Sequence, residues 1–132
     1  MKSISRLTIL AVIAVAGALV AQNPGVQRTI VQRKDISAPG REAVIARVEI
    51  APGASAGRHT HPGEEISYVM EGEGQLLIDG QPPLNFKAGD GFVVPAGAIH
   101  DARNTGTQPI KLAAVYVIEK GKPLATPVTT PH

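Results

Sequence analysis

From about Gln27 onward, no apolar pattern of period 3.6 persists for three turns, and short β-branched runs are instead punctuated by glycine and proline. A helical domain needs the opposite: an apolar stripe recurring every three to four residues, with both punctuating residues kept out of its interior. The chain therefore reads as all-β, with strands expected over 28–31, 42–50, 64–71, 74–78, 91–94, 100–103 and 110–118. Turn signals separate them at Ala51-Pro52-Gly53, Pro62-Gly63, Asp79-Gly80 and Pro95-Ala96-Gly97, where proline presets φ or glycine accepts a positive one. Asp79-Gly80 in particular reads as a tight hairpin turn. Short strands at nearly regular spacing point to a sandwich or barrel that closes its own edges. A chain of 132 residues suits one such domain.

The N-terminus is written differently. Lys2 and Arg6 precede an uncharged apolar run at 7–21, which is 15 residues long. A membrane-spanning helix needs about 20 apolar residues, whereas the core of a secretory signal needs roughly 7 to 15. Small residues follow where a signal peptidase would cut, after Ala21 or after Ala18. The expectation is a cleaved signal over 1–21 and a mature chain that is periplasmic or secreted; an uncleaved anchor is the alternative. Removing Lys2 and Arg6 from the 13 cations leaves 11 against 11 acidic residues, so the pI near 9.2 belongs to the precursor. A neutral mature chain without a basic run offers no footprint for nucleic acid or for an anionic membrane. Residues 22–39 then form an arm with the first strand, 40–118 the barrel, and 119–132 a tail. That tail carries three prolines in its last ten residues and is expected to be loosely ordered or draped over the barrel.

Cysteine is absent, which excludes disulfides, thiolate metal sites and thiol nucleophiles, so any metal must be held by His, Asp or Glu. The four aromatics all lie between residues 68 and 116, which places the expected core in that half of the chain. Three of the four histidines fall in two Gly- and Pro-rich blocks. In the first, His59 and His61 share a strand face by alternation, and Glu65 keeps that parity after the Pro62-Gly63 bend. In the second, a turn at 95–97 would deliver His100 at the start of the next strand, from the opposite side of a barrel. Three imidazoles and a carboxylate suit a divalent transition ion. By the same alternation Glu64 faces outward, Ser67 and Val69 face inward, and Ile66, Tyr68 and Met70 point away. Tyr68 and Met70 would pack either against a second subunit or into the core. Arg58 and Arg103 flank the histidines as outward-facing charges, with pairing to an anionic substrate as the alternative. His132 reads as no more than a terminal residue.

Two spacings carry a resemblance. Gly53, His59, His61, Glu65 and Gly72 match G(X)5HXH(X)3-4E(X)6G, and Gly89, Pro95, Gly97, His100 and Asn104 match G(X)5PXG(X)2H(X)3N. These are the two motifs of the cupin superfamily, and with 16 residues between them the chain resembles its small single-domain bacterial members over roughly residues 40–118. The resemblance implies a double-stranded β-helix, or jelly roll, and a metal held by His59, His61, Glu65 and His100, with Glu65 also able to act as a catalytic base. The ion itself (Fe, Mn, Ni, Co, Cu or Zn) stays open. The fold hosts many reactions. The first expectation is a metal-dependent enzyme on a small oxygenated substrate, similar to the quercetin-dioxygenase-like members. A non-redox isomerase or lyase acting on a sugar acid or carbonyl compound, and a non-catalytic periplasmic binding module, are the alternatives. The last would be favoured by a narrow barrel filled by Val69, Leu76, Phe92 and Val94. A small core and an exposed sheet edge imply a homodimer.

Overall fold

The computed structural model describes residues 23–129, and the apolar segment at 1–21 lies outside them. The described residues form ten strands and no helix: β1 (Val26–Asp35), β2 (Arg41–Ile50), β3 (His59–Thr60), β4 (Gly63–Glu71), β5 (Glu73–Ile78), β6 (Leu84–Lys87), β7 (Gly91–Val94), β8 (His100–Asn104), β9 (Ile110–Glu119) and β10 (Thr126–Pro127). They assemble into two five-stranded antiparallel sheets, ordered β1-β2-β9-β4-β7 and β10-β3-β8-β5-β6. This is the expected double-stranded β-helix.

Alternation decides which side chains meet. In β2 the buried residues are Glu42, Val44, Ala46, Val48 and Ile50, and in β9 they are Ile110, Leu112, Ala114, Tyr116 and Ile118. Register stacks these into layers: Val44, Tyr116 and Glu65 lie side by side across β2, β9 and β4, followed by Ala46, Ala114 and Ser67, then Val48, Leu112 and Val69. Each fully buried Val, Ile or Leu contributes about 1.5–3 kcal/mol relative to exposure. The core thus draws on β2 as much as on the aromatic half of the chain. Phe86, Phe92 and Tyr116 are buried in it, while Tyr68 is exposed on the outer face.

Three strands lie outside those expected. β6 follows Pro82-Pro83, a pair that hides a strand signal, and β3 and β10 are only two residues long. Gly80 takes φ +79° and Gln81 N–H donates to Ile78 O at 3.0 Å, so the Asp79-Gly80 turn forms; the β5–β6 ladder begins only at Leu76 opposite Leu84. In the tail, Thr126 pairs with Thr60 and Pro127 with His59. Gly72 shows why a side chain is refused at one motif position: its φ is +85°, and a Cβ would sit 2.6 Å from Pro109 O.

Candidate metal centre

His59, His61, Glu65 and His100 are all buried, and one ligating atom from each lies within 4.8 Å of the others. The sequence arranges this through three local devices. His59 is the first residue of β3 and pairs directly with His100, the first residue of β8, so these two imidazoles are neighbours in one sheet. Glu65 comes from β4 in the other sheet, which alters the expectation that His100 would approach from the opposite side: the carboxylate is the donor that does so. Gly97, at φ +71°, completes the turn before β8, with Ala98 N–H donating to Pro95 O at 3.1 Å, and its own N–H donates to His61 O at 3.1 Å. That bond ties the two histidine blocks together.

Alternation through the bend is visible in β4, where Gly63, Glu65, Ser67 and Val69 are buried while Glu64, Ile66, Tyr68 and Met70 are exposed. The Pro62-Gly63 bend survives because Gly63 has no Cβ; one would stand 1.8 Å from Val117 O on β9. Asn104, the last residue of the second motif, stays out of the cluster. Its Nδ2 donates to Ile50 O at 2.9 Å and to Gln108 O at 2.8 Å, and its Oδ1 accepts from Gly106 N–H, so it fastens the β8–β9 connection.

Backbone carbonyls determine the tautomers. Nδ1 of His59 lies 2.6 Å from Gly57 O, Nδ1 of His61 2.7 Å from Leu124 O, and Nδ1 of His100 3.0 Å from Ala98 O. A carbonyl only accepts, so each Nδ1 carries the hydrogen and each Nε2 presents a lone pair. The Nε2 atoms of His61 and His100 are buried without a hydrogen bond, yet they lie 3.0 and 3.3 Å from Glu65 Oε2. Lone pairs facing a carboxylate oxygen at this distance need a positive charge between them. A proton would serve one contact at the cost of a buried imidazolium; a divalent cation serves all four donors at once. The residues therefore fit a metal ion.

The electrostatics point the same way. Burial, reinforced by the charges of His100, His61 and Arg28, lowers His59 to about 4 despite its bond to Gly57, so it remains a neutral donor in mild acid. Burial opposes ionisation of Glu65, but the contacts from His100 and His61, together with Ser67 Oγ donating to Oε1 at 2.7 Å, outweigh it and hold the carboxyl well below its ordinary range.

Two residues not singled out from the sequence complete the site. Tyr116 is buried with its ring centre 4.7 Å from that of His61. Burial and then the charge of Glu65 push its hydroxyl above the ordinary phenol range, so it remains protonated. Arg28, from β1, has its guanidinium carbon 5.6 Å from the Tyr116 ring centre. The signal that could have found it is the inward parity it shares with Val26 at the start of β1. Arg58 and Arg103 turn elsewhere, pairing with Asp79 and, at 3.1 Å, with Asp101. Inside the barrel the free space beside Glu65 and Tyr116 is a chamber of about 20 Å³, and His59, Val26, Ala56 and Arg28 separate it from an outer mouth of about 270 Å³. The chamber is large enough for about one water.

The cupin domain family model matches residues 46–119. The oxalate-binding protein of Thermotoga maritima is 37% identical over 76 residues, which span 57% of this chain and 62% of that protein. An acireductone dioxygenase of Rhodopseudomonas palustris is 41% identical over 56 residues, spanning 40% of this chain and 34% of the enzyme. Among solved structures, a conserved protein with a double-stranded β-helix domain from Klebsiella pneumoniae subsp. pneumoniae superposes with a TM-score of 0.64 at 23% identity, over 80% of this chain and 89% of the other. The chain thus spans less than two thirds of the length of either curated relative.

Proposed function

The chain belongs to the cupin domain family, and we propose that it is an exported, metal-dependent enzyme acting on a small oxygenated substrate, with oxygenase chemistry as its first form. The observation that carries the reading is a four-donor cluster with its tautomers set by backbone carbonyls, reached from outside past His59. His59, His61, Glu65 and His100 would hold the ion; when bound it would supply Lewis acidity and, if redox-active, electrons for reaction with dioxygen.

The protein's own groups divide the remaining work. The carbonyls of Gly57, Leu124 and Ala98 orient the imidazoles, and oriented ligands bind more tightly than free ones. Ser67 holds one oxygen of Glu65 while the other faces the histidines. In that position Glu65 is a poor base. To take a proton it must first leave the imidazoles, with Ser67 as the group that steadies it. Tyr116 keeps its proton and serves as a hydrogen-bond donor rather than an acid. Polycyclic phenols are disfavoured by the small chamber.

One observation favours a second reading, a periplasmic binding module without turnover: Val69, Leu76, Phe92 and Val94 are all buried in the barrel core, and Leu76 and Phe92 line the small chamber. The resemblance to an oxalate-binding protein supports it too. Metal analysis of purified protein followed by an oxygen-uptake screen over small phenols, diketones and carboxylates separates the readings. Substrate-dependent oxygen uptake supports the enzyme, and ligand binding without oxygen uptake or product supports the module. Export rests on the apolar run at 7–21; intact mass and cell fractionation test it, and full-length protein in the cytosol would overturn it.

A further inference from the structure

We propose that Asp101 is the residue that positions His59 in the metal centre: its carboxylate pins a bulge at Gly57, and the bulge aims the Gly57 carbonyl at the His59 ring. The inference rests on the metal-binding reading above and adds to it a positioning residue outside the donor set.

The stretch before β3 runs alongside β8. Gly53 N–H donates to Asn104 O at 3.2 Å, Asn104 N–H to Ala54 O at 3.0 Å and Ala56 N–H to Ala102 O at 2.9 Å, with Ser55 bridged to Arg103. Further along, His59 is paired with His100. From Ser55 to His59 the chain takes four steps, whereas from Arg103 to His100 it takes three. One extra residue must be accommodated between the two pairings, which makes a β-bulge. Gly57, at φ +79°, has the left-handed conformation that a glycine bulge uses.

A bulge leaves its extra residue without a ladder partner. Here the side chain of Asp101 supplies one. Gly57 N–H donates to Asp101 Oδ1 at 2.9 Å, Ser55 Oγ donates between the two carboxylate oxygens at 2.8 and 2.7 Å, and Arg103 Nε donates to Oδ2 at 3.1 Å. With its amide fixed on one side, Gly57 turns its carbonyl to Nδ1 of His59 at 2.6 Å.

Asp101 also breaks the alternation that its strand otherwise keeps. His100, Ala102 and Asn104 share the inward parity of β8, so Asp101 belongs to the other face with Arg103, yet only 3% of it is exposed. Withdrawing a carboxylate from water opposes folding, and apolar residues in place of a buried ion pair are often neutral or stabilising. Stability alone is thus a weak reason for a carboxylate here, whereas a fixed acceptor for the Gly57 amide is a specific one. Of the three imidazoles only His59 depends on it, because His61 is held by Leu124 O and His100 by Ala98 O.

The test pairs Co(II) titration, read by visible absorption, with NMR of the imidazole Nδ1–H protons in the Zn(II)-loaded and the metal-free protein. Wild type is compared with Asp101→Ala, Asp101→Asn and Ser55→Ala. We expect Asp101→Ala to bind Co(II) about 10–100-fold more weakly, as is typical when a group that orients a ligand is lost. Its His59 Nδ1–H signal should shift or vanish while those of His61 and His100 hold. Asp101→Asn keeps an oxygen for the Gly57 amide and should recover most of both. Ser55→Ala removes the brace on that carboxylate and should move the His59 signal in the same sense by less; it serves alone if the alanine variant at 101 does not fold. Unchanged Co(II) affinity in folded Asp101→Ala, an unmoved His59 signal, equal disturbance of all three imidazoles, or no recovery in Asp101→Asn overturns the role of Asp101 and leaves the metal centre standing. Failure of wild type to take up Co(II) or Zn(II) overturns the metal-binding reading instead, while the metal-free spectra still show whether Asp101 holds His59.

Discussion

His59 and His100 face one another as paired residues of β3 and β8, their ring centres 4.2 Å apart, and each donates its Nδ1 hydrogen to the carbonyl two residues before it. The pair is thus built twice from one local rule, a histidine opening a strand just after a turn whose carbonyl points back at it. Rotation of either ring would break a backbone hydrogen bond, so both Nε2 lone pairs are aimed at the same point before any ion arrives. Such preorganisation lowers the cost of assembling a site.

That aim predicts how the donors respond to removal. His100→Ala deletes one of three imidazoles and should weaken divalent-ion binding beyond the roughly 10–100-fold typical of losing a mere outer partner, with any activity lost alongside. Glu65→Gln keeps an oxygen but loses the charge; part of the metal should remain, with turnover falling further than occupancy explains. Glu64→Gln, on the exposed face, should alter neither. Metal titration with kinetics on the same preparations checks all three. Loss of metal in Glu64→Gln with full retention in Glu65→Gln would move the ligand by one residue.

Acid should unfold the metal-free protein through the same groups. Folded His59 titrates at about 4 against 6.5 when unfolded, so between those values the unfolded chain binds more protons and stability rises with pH, by up to about 1.4 kcal/mol per unit. Its contribution is complete above pH 6.5. Glu65 acts in the same sense: its lowered value makes its contribution full above about 4.5 and lost as pH falls below that. His61, His100 and Arg28 surround His59, and Ser67 faces Glu65. Urea midpoints measured from pH 4 to 7.5 on apo-protein should rise and then level near 6.5, and His59→Asn should flatten the rise. A midpoint that falls with pH over this interval would contradict the account.

What was legible in the sequence follows from how local each cause is. Alternation needs only neighbouring residues, which is why the inward set of β4 could be read across the Pro62-Gly63 bend and why Glu65 rather than Glu64 is buried. Turn chemistry is local too, so Gly97 and Gly80 announce themselves. Arg28 and Tyr116 meet only because β1 and β9 both flank β2, a register set by the whole sheet. Leu124 O reaches His61 across 63 residues, and no pattern in a proline-bearing tail signals that a carbonyl there orients a candidate ligand. The side from which each donor enters is likewise a property of sheet order: β3 next to β8 makes His59 and His100 neighbours and leaves Glu65 to cross from the other sheet.

The outer face of the larger sheet predicts association. Val93, Ile66, Val115 and Ile45 are successive cross-strand partners on β7, β4, β9 and β2, forming an apolar row beside Tyr68, which is 55% exposed, and Met70, which is 42% exposed. A contiguous apolar row of this kind on a small β-domain marks an interface. The mature chain should be a dimer at tens of micromolar by light scattering, and Ile66→Glu should yield a folded monomer with its metal site intact. Monomeric wild type at that concentration would remove the argument and leave the row merely solvated.

Two glycines separate strain from collision. Gly53 has φ +74° with no atom within 4 Å of the point where a Cβ would stand, so Gly53→Ala meets only the conformational penalty of a left-handed residue, about 1–2 kcal/mol. Gly63 lies outside that region of φ, but an added Cβ would stand 1.8 Å from Val117 O and 2.7 Å from Ile118 Cα, both backbone atoms that cannot swing aside. Gly63→Ala must therefore push β4 away from β9, at a cost at or above the ~1–3 kcal/mol usual for overpacking. Because Glu65 is two residues along the same strand, that displacement should also weaken metal binding, whereas Gly53→Ala should leave affinity unchanged. Urea denaturation with metal titration of both variants decides it; equal destabilisation with unaltered affinity in each would mean that β4 absorbs the extra carbon without moving the carboxylate.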